Sequence, residues 1–255
     1  MKVVLNEEEY AKNAISERSL GKSPYDTLVR VAKYYLSIGL SDTEVEQRLN
    51  TFILQCEPDA SIPKWSKMVE FAINRACKSD IIKIDHIDIT RAEIDKIEAL
   101  QGKQLKRLAF TLLCLAKYWD QVNPYGDHWV NTEDNEIMSM ANINTSIKRQ
   151  SLMYAQLKDA GLIRFSKKVD NTNVRVCFID DDSDSVMGID DFRNLGYQWS
   201  MYSGEKYAKC ESCGITYKRN EQTRGRPQKY CKDCAIKIRV KQNIESTMRH
   251  RSFQN

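Results

Sequence analysis

Proline and glycine are scarce in this sequence, with 5 and 10 of 255 residues. That scarcity excludes a collagen-like repeat and a low-complexity chain. The sequence also lacks an apolar run of the roughly 18 residues that cross a bilayer. Residues 1–10 turn acidic at Glu7 without an apolar segment followed by small residues, so no secretory signal is expected. We therefore expect a cytoplasmic protein with no membrane partner, long enough for about two folding units.

The motifs of the common enzyme classes are missing as well. The sequence contains no Gly-rich phosphate-binding loop, no G-x-S-x-G and no H-E-x-x-H. Its three histidines, His86, His128 and His250, lie far apart in the chain. We expect no enzymatic activity and no catalytic residue.

The net charge of +4 conceals an uneven distribution. Residues 205–255 contain 13 Lys and Arg against 5 Asp and Glu, a net charge of +8. The preceding 204 residues contain 26 against 30, a net charge of −4. A basic segment of this kind is typical of a surface that contacts a polyanion, although a merely solvated surface can have the same composition.

Four of the eight cysteines form two C-x-x-C pairs separated by 17 residues. Each pair offers two thiolates from one tight turn, and the segment between the pairs can bring the chain back to complete a tetrahedron. Four thiolates bind zinc or iron, and zinc is favoured here because a basic module offers no electron-transfer context. With every ligand supplied by the protein, the zinc would be structural. The expected ligands are Cys210, Cys213, Cys231 and Cys234.

The other four cysteines stand alone in apolar or helical-looking segments. A free cysteine in that setting usually behaves as a small hydrophobic residue of the core. We expect buried side chains at Cys56, Cys77, Cys114 and Cys177.

The first hundred residues predict a small helical bundle. Residues 1–22 are polar and predict at most a short helix with no strong partner face. Three further helices are expected to start near residues 24, 42 and 63, the second of them from a capping box at Ser41 and Glu44.

The helix expected from residue 24 is followed by the turn Ile38-Gly39-Leu40-Ser41 and then by the other two helices. This order of elements is similar to that of a known domain family. Residues 23–76 resemble the small helical domain appended to primases of phages and mobile elements. The resemblance implies a place near replication machinery. It implies no priming activity, because it carries no catalytic residue.

Residues 101–180 have the pattern of a second domain. Leu105, Leu108, Leu112 and Leu115 predict a buried helical seam from Lys103 to Trp119. A short strand, a helix, a turn, another helix and a two-stranded ribbon are expected to follow. This order, with the segment from Leu157 to Ile163, resembles the winged helix-turn-helix family of DNA-binding proteins of phage and mobile-element type.

That resemblance implies an interface with duplex DNA. In such domains the start of the third helix enters the major groove and the wing lies along the phosphate backbone. Ile147, Leu152 and Leu157 are expected in the core. The third helix would present Thr145, Ser146, Lys148, Arg149 and Gln150, and the wing Lys167, Lys168, Asn171, Asn173 and Arg175. The alternative is that this helix face is merely solvated and that the hairpin is an ordinary one, without contacts to DNA.

The stretch after the predicted wing has six Asp among residues 180–191 and then a series of aromatic residues. We expect residues 181–204 to form an acidic and aromatic linker that keeps the basic segment apart from the wing. Residues 205–255, with the two C-x-x-C pairs, resemble the small four-cysteine zinc modules of phage and bacterial proteins, which implies a zinc module of zinc-ribbon or treble-clef type; a basic C-terminal helix is expected after it. Its nucleic-acid contacts are expected at Arg219, Arg224, Arg226 and Lys229.

The sequence thus predicts a mainly α protein: a helical module (1–100), a winged helix-turn-helix (101–180), a linker (181–204) and a zinc module (205–255). We expect non-enzymatic binding of nucleic acid, duplex DNA before RNA, in replication initiation or transcriptional control of a phage or mobile element. The alternative is an interaction or inhibitor protein, for example an anti-defence protein, that binds a host nucleoprotein complex. A third possibility is RNA binding by the zinc module, with Tyr207, Tyr217 and Tyr230 stacking on bases.

Overall fold

The computed structural model describes residues 3–123, 125–166, 173–220 and 227–252, without the side chains of 249–252. Over these ranges the chain forms ten helices and seven short strands, so the fold is mainly α, as predicted. No described helix combines the length and the apolar character needed to cross a bilayer. The chain divides into two compact units, Met1–Ile87 and Asp88–Asn255, so the boundary precedes the one predicted at residue 100.

The first unit consists of four helices around a shared apolar core. Asn6 starts the first helix, because its Oδ1 accepts a hydrogen bond from the Glu9 backbone N–H at 2.9 Å. Ser41 and Glu44 form the predicted capping box of the third. The helices are α1 (Glu7–Glu17), α2 (Pro24–Ser37), α3 (Asp42–Cys56) and α4 (Ile62–Ala76).

Residues 1–22 have a partner face, contrary to the prediction. Helix α1 packs against α2 and buries Ala11 and Ala14. Glu7 is also buried, and its carboxylate lies 2.9 Å from Lys33 Nζ and accepts a hydrogen bond from the Ile82 backbone N–H at 3.0 Å. Two alanines and a buried ion pair give little apolar periodicity, so the sequence alone does not predict this face.

The second unit contains the remaining elements. Its helices are α5 (Arg91–Glu98), α6 (Lys103–Val122), α7 (Asp134–Met140), α8 (Ile147–Asp159), α9 (Leu195–Tyr202) and α10 (Lys232–Ser252). Its strands are β1 (Ile87–Thr90, which begins at the boundary), β2 (Trp129–Val130), β3 (Ile163–Phe165), β4 (Val174–Val176), β5 (Ser185–Ile189), β6 (Tyr207–Lys209) and β7 (Thr216–Lys218).

Helix α6 is the centre of this unit. The four leucines of the predicted seam are buried, and α5, α7, α8 and α9 all pack against α6. Helix α5 therefore belongs with α6 and not with the N-terminal bundle. An ion pair at 2.8 Å between buried Glu93 of α5 and Lys117 of α6 joins the two helices, which explains the earlier boundary.

A three-stranded antiparallel sheet follows α6 in the order β2-β4-β3. Arg175 of β4 is opposite Trp129 of β2 and Arg164 of β3. Helices α7 and α8 lie between β2 and β3 in the chain and are joined by a turn in which Asn142 has a left-handed φ of +54°. The predicted order of elements is thus present over residues 103–176.

Residues 181–204 are not a linker. Strand β5 pairs with β1, and helix α9 packs on α6, with the Trp199 and Phe110 ring centroids 5.4 Å apart. Phe192 is fully buried, with its ring centroid 5.7 Å from that of Tyr118. The six Asp residues suggest a solvated segment, but the aromatic residues after them form an apolar face that completes the core around α6.

Candidate metal centre and candidate nucleic-acid interface

The four paired cysteines come together in the second unit. Their sulfur atoms all lie within 4.8 Å of one another, and Cys213 Sγ is 3.8 Å from Cys231 Sγ. A tetrahedral site with zinc–sulfur bonds of about 2.3 Å has sulfur–sulfur edges of about 3.8 Å. The cluster, Cys210, Cys213, Cys231 and Cys234, could therefore hold a metal ion.

The first pair lies in the tight turn between β6 and β7. The Cys210 backbone N–H donates to the Ile215 carbonyl at 3.0 Å, and the Gly214 N–H donates to the Cys210 carbonyl at 2.9 Å. Gly214 has a φ of +73°, a conformation that glycine adopts without steric cost. This turn directs both thiols to the same side of the hairpin.

The second pair comes from the start of a helix. Cys231 directly precedes α10 and Cys234 lies in its first turn, where the Ala235 N–H donates to the Cys231 carbonyl at 2.9 Å. The partial positive charge of a helix N-terminus favours thiolates. The Cys231 N–H also donates to Cys210 Sγ at 3.3 Å, which connects the two pairs.

The thiols differ in acidity because their surroundings differ. Burial opposes the ionisation of Cys210, but hydrogen bonds from the backbone N–H groups of Cys231, Cys213 and Ser212 outweigh it and lower its pKa to about 6. Burial and the neighbouring thiols raise the pKa of Cys213 to about 12. The protein thus stabilises one thiolate, and a bound divalent cation would stabilise the others by compensating their charge.

Arg193 connects the cluster to the segment before α9. Its guanidinium donates to the Cys213 carbonyl at 2.7 Å and to both carboxylate oxygens of Asp191. The ion pair with Asp191 raises the pKa of Arg193. The guanidinium therefore holds the carbonyl of a metal-ligand candidate in place and brings a positive charge close to the thiolates.

Arg193→Lys is expected to weaken metal binding about tenfold, because lysine lacks the planar fork that contacts two partners at once. Loss of a residue that hydrogen-bonds a metal ligand typically lowers the affinity for the metal about 10–100-fold. The lower end of this range applies because Arg193 is partly exposed. Competition with a chromophoric chelator measures the change. Lys229→Ala is the control, because it removes a positive charge from the same module without a contact to a ligand backbone. Because Arg193→Lys keeps the positive charge, wild-type affinity in that variant together with a loss in Lys229→Ala would show that charge alone matters.

The other cysteines match the expectation only in part. Cys114 of α6 is fully buried, and burial raises the pKa of its thiol. Cys56 is half-buried. The prediction is wrong for Cys77 and Cys177, which are exposed at a helix end and after a strand.

Two asparagines connect the metal module to the turn between α7 and α8. Asn194 donates from Nδ2 to the Thr216 carbonyl of β7 at 2.9 Å and accepts from Asn142 Nδ2 at 2.9 Å. Asn142 in turn accepts from the Tyr197 backbone N–H at 3.0 Å. The sequence predicts a turn between these two helices but not the partners of Asn142, because their separation along the chain leaves no local signal.

Arg107 of α6 provides a second connection. It donates from Nε to Ser200 Oγ at 2.9 Å and from Nη2 to Tyr207 Oη at 2.8 Å, and the Tyr197 and Tyr207 ring centroids are 4.9 Å apart. Tyr217 is buried and donates to the Gln228 carbonyl. Two of the three tyrosines considered for base stacking are therefore engaged within the protein.

The residues expected on α8 divide into two groups. Ser146, Lys148 and Arg149 are exposed at the start of the helix. Thr145 and Gln150 are half-buried and bind each other, since Gln150 Nε2 donates to the Thr145 carbonyl at 3.1 Å.

The core-facing side of α8 differs from the prediction. Ile147 and Leu152 are 80% and 58% exposed instead of buried. Leu157 is buried as predicted, together with Met153 and Tyr154. Ile147 shares a helix face with Tyr154, whose hydroxyl donates to Asp134, but it lies two turns earlier, at the first position of the helix. The apolar pattern does not indicate the core contact of Tyr154.

Three of the remaining nucleic-acid candidates have polar partners within the protein. Arg175 is paired with Asp127, and Lys229 lies 3.2 Å from Glu211, so both already have an acidic partner. Arg219 is exposed after β7, and Asn173 donates to Asn131 Oδ1 at 2.7 Å. Lys167, Lys168, Asn171, Arg224 and Arg226 lie outside the described residues.

Comparison with known proteins adds no assignment to this geometry. No family model matches the chain, and the curated proteins and the solved structures give no significant match. Any functional conclusion therefore rests on the residues and contacts of the chain itself.

Proposed function

We propose that this protein binds duplex DNA without enzymatic activity, through a winged helix-turn-helix formed by α6 to β4. The observation that carries the proposal is the element order α6-β2-α7-α8-β3-β4 together with the sheet order β2-β4-β3. In a winged helix-turn-helix this arrangement makes α8 the helix that enters the major groove, and the β3–β4 hairpin the wing.

The charge at the start of α8 supports the same proposal. Lys148 and Arg149 are exposed there, and the first turn contains no acidic residue. The helix N-terminus adds a partial positive charge. Lys and Arg are also the side chains that most often bind guanine edges and phosphates in DNA complexes.

We further propose that the cysteine cluster binds structural zinc. Four thiols supply every ligand of a closed tetrahedral site, and no position remains for a substrate. The second pair comes from the first turn of α10 rather than from a second hairpin, which supports a treble-clef-like module over a zinc ribbon. This module and α8 belong to one compact unit.

The double variant K148A/R149A is expected to weaken duplex binding about 10- to 30-fold, because it removes two contacts to bases or phosphates. The slope of log K against log salt should fall by about one to two, since each neutralised phosphate contributes about one unit. Fluorescence anisotropy of the metal-loaded protein with duplex DNA, single-stranded DNA and RNA, from ~50 to ~200 mM salt, measures both quantities.

The matched control is K64A/K67A on α4, which removes the same charge from two exposed residues of the first unit. It should leave duplex binding within about twofold of the wild type, because it changes the net charge without removing a base or phosphate contact of α8. Equal losses in the two variants would contradict a role for α8. Stronger binding to RNA would support the zinc module as an RNA site instead.

A protein interaction is the second candidate, and one observation favours it. Leu152 of α8 and Phe165 of β3 are 58% and 42% exposed. Exposed apolar side chains on a winged helix suit a protein partner, such as a phage or host nucleoprotein complex. Under this candidate the K148A/R149A variant keeps partner binding while Leu152→Ala loses it. Replication initiation, transcriptional control and an anti-defence role stay predictions.

A further inference from the structure

Ile147 has the most exposed large aliphatic side chain among the described residues, at 80%. It is the first residue of α8, and the core-facing positions of that helix are occupied by Met153, Tyr154 and Leu157. Ile147 therefore contributes nothing to the core. The side chain is instead available to a partner at the start of α8.

The surroundings of Ile147 are polar and basic. Ser146 precedes it and makes no capping hydrogen bond with its side chain, and Lys148 and Arg149 follow it. No acidic residue lies in the first turn of the helix. A partner that is anionic and also offers an apolar group would complement this turn, because the isoleucine lies next to two positive charges.

Duplex DNA satisfies both conditions. Its phosphates attract Lys148 and Arg149, and thymine presents a 5-methyl group in the major groove that apolar side chains contact. Isoleucine is β-branched and has few rotamers, so little conformational freedom is lost on contact.

We propose that Ile147 is a specificity-determining residue that contacts the 5-methyl group of a thymine in the bound duplex. This inference rests on the proposed function of α8. It makes thymine preferred at one position of the binding site, and it distinguishes Ile147 from Lys148 and Arg149, whose contacts do not depend on a methyl group.

The test uses duplexes selected by the full-length protein from a random library. In the best sequence each thymine is replaced in turn by deoxyuridine, which removes only the methyl group. At one position the affinity of the wild-type protein should fall about fourfold, the effect of one buried methyl group. Ile147→Ala should bind the thymine and deoxyuridine duplexes equally. Leu152→Ala, another exposed apolar residue of α8, should keep the fourfold difference.

Each outcome decides the inference. If Ile147→Ala keeps the full preference for thymine, or if no deoxyuridine weakens the wild type, Ile147 does not recognise a thymine, although α8 still binds duplex DNA. If the wild type selects no duplex and K148A/R149A changes nothing, the proposed function fails and this inference with it. Because Ile147 is exposed, circular dichroism should show an unchanged fold in its variant.

Discussion

Replacing Cys231 with serine is expected to remove the bound metal and to unfold the segment around β6, β7 and the first turn of α10. The small apolar cluster of this segment is built around the cysteines themselves. Metal binding in modules of this size is worth about 10–16 kcal/mol, which is also their folding free energy. Loss of a residue that only hydrogen-bonds a metal ligand already lowers the affinity for the metal about 10–100-fold, so loss of a ligand itself should lower it further. Inductively coupled plasma mass spectrometry and amide hydrogen exchange over 207–235 measure the two effects.

The matched control is Cys177→Ser, an exposed cysteine of the same unit that does not belong to the cluster. It should retain one equivalent of metal and the wild-type exchange rates. Retention of a full equivalent of metal by Cys231→Ser, with unchanged protection of β6 and β7, would exclude the cluster as the metal site. Mass spectrometry also distinguishes zinc from iron, the two metals that four thiolates accept.

Gly196→Ala is expected to destabilise the second unit by about 2 kcal/mol. A Cβ atom at Gly196 would lie 1.9 Å from the Ala141 carbonyl oxygen at the end of α7, a distance that requires the backbone to move. Overpacking of this kind costs about 1–3 kcal/mol or more. Alanine would otherwise stabilise a helix by about 0.5–1 kcal/mol relative to glycine, so the sign of the change tests the close approach. The melting temperature should fall by about 4–8 °C.

Gly102→Ala provides the comparison for Gly196→Ala. Gly102 has a φ of +91°, and no other atom lies within 4 Å of the position that a Cβ atom would take, so its substitution carries a conformational cost without a clash. Amide exchange separates the two variants: only Gly196→Ala should increase exchange in α9 and in the turn after α7. A higher melting temperature for Gly196→Ala would show that α9 does not approach Ala141 closely.

The Cys231 variant changes the cysteine cluster, and the Gly196 variant changes the contact of α9 with the end of α7. A series of hydrogen bonds connects these two regions. Arg193 binds the Cys213 carbonyl, and its neighbour Asn194 binds both Thr216 of β7 and Asn142 before α8. A metal centre that holds β6 and β7 in place therefore also holds α9 against the turn that leads into α8. We therefore expect metal binding at the cysteine cluster to affect the orientation of the proposed DNA-binding helix as well as the folding of the cluster's own segment.

The metal-ligand candidates and the buried seam of α6 could be predicted from the sequence because each has a local signal. Two C-x-x-C pairs bring thiols together through short turns, and leucines at spacings of three and four place one face of a helix inward. The order of elements from α6 to β4 was also predictable, since helical and strand periodicities alternate with recognisable turns.

Three features were decided only by the tertiary structure. Residues 181–204 contain a core helix because Phe192 and Trp199 pack against the apolar side of α6. No local sequence pattern reveals this packing. Ile147 and Leu152 of α8 are exposed because Met153, Tyr154 and Leu157 provide the core contacts of that helix. Gly196 matters because the Ala141 carbonyl lies against it. Sequence periodicity specifies which residues share a face, whereas the partner of that face depends on contacts between segments far apart in the chain.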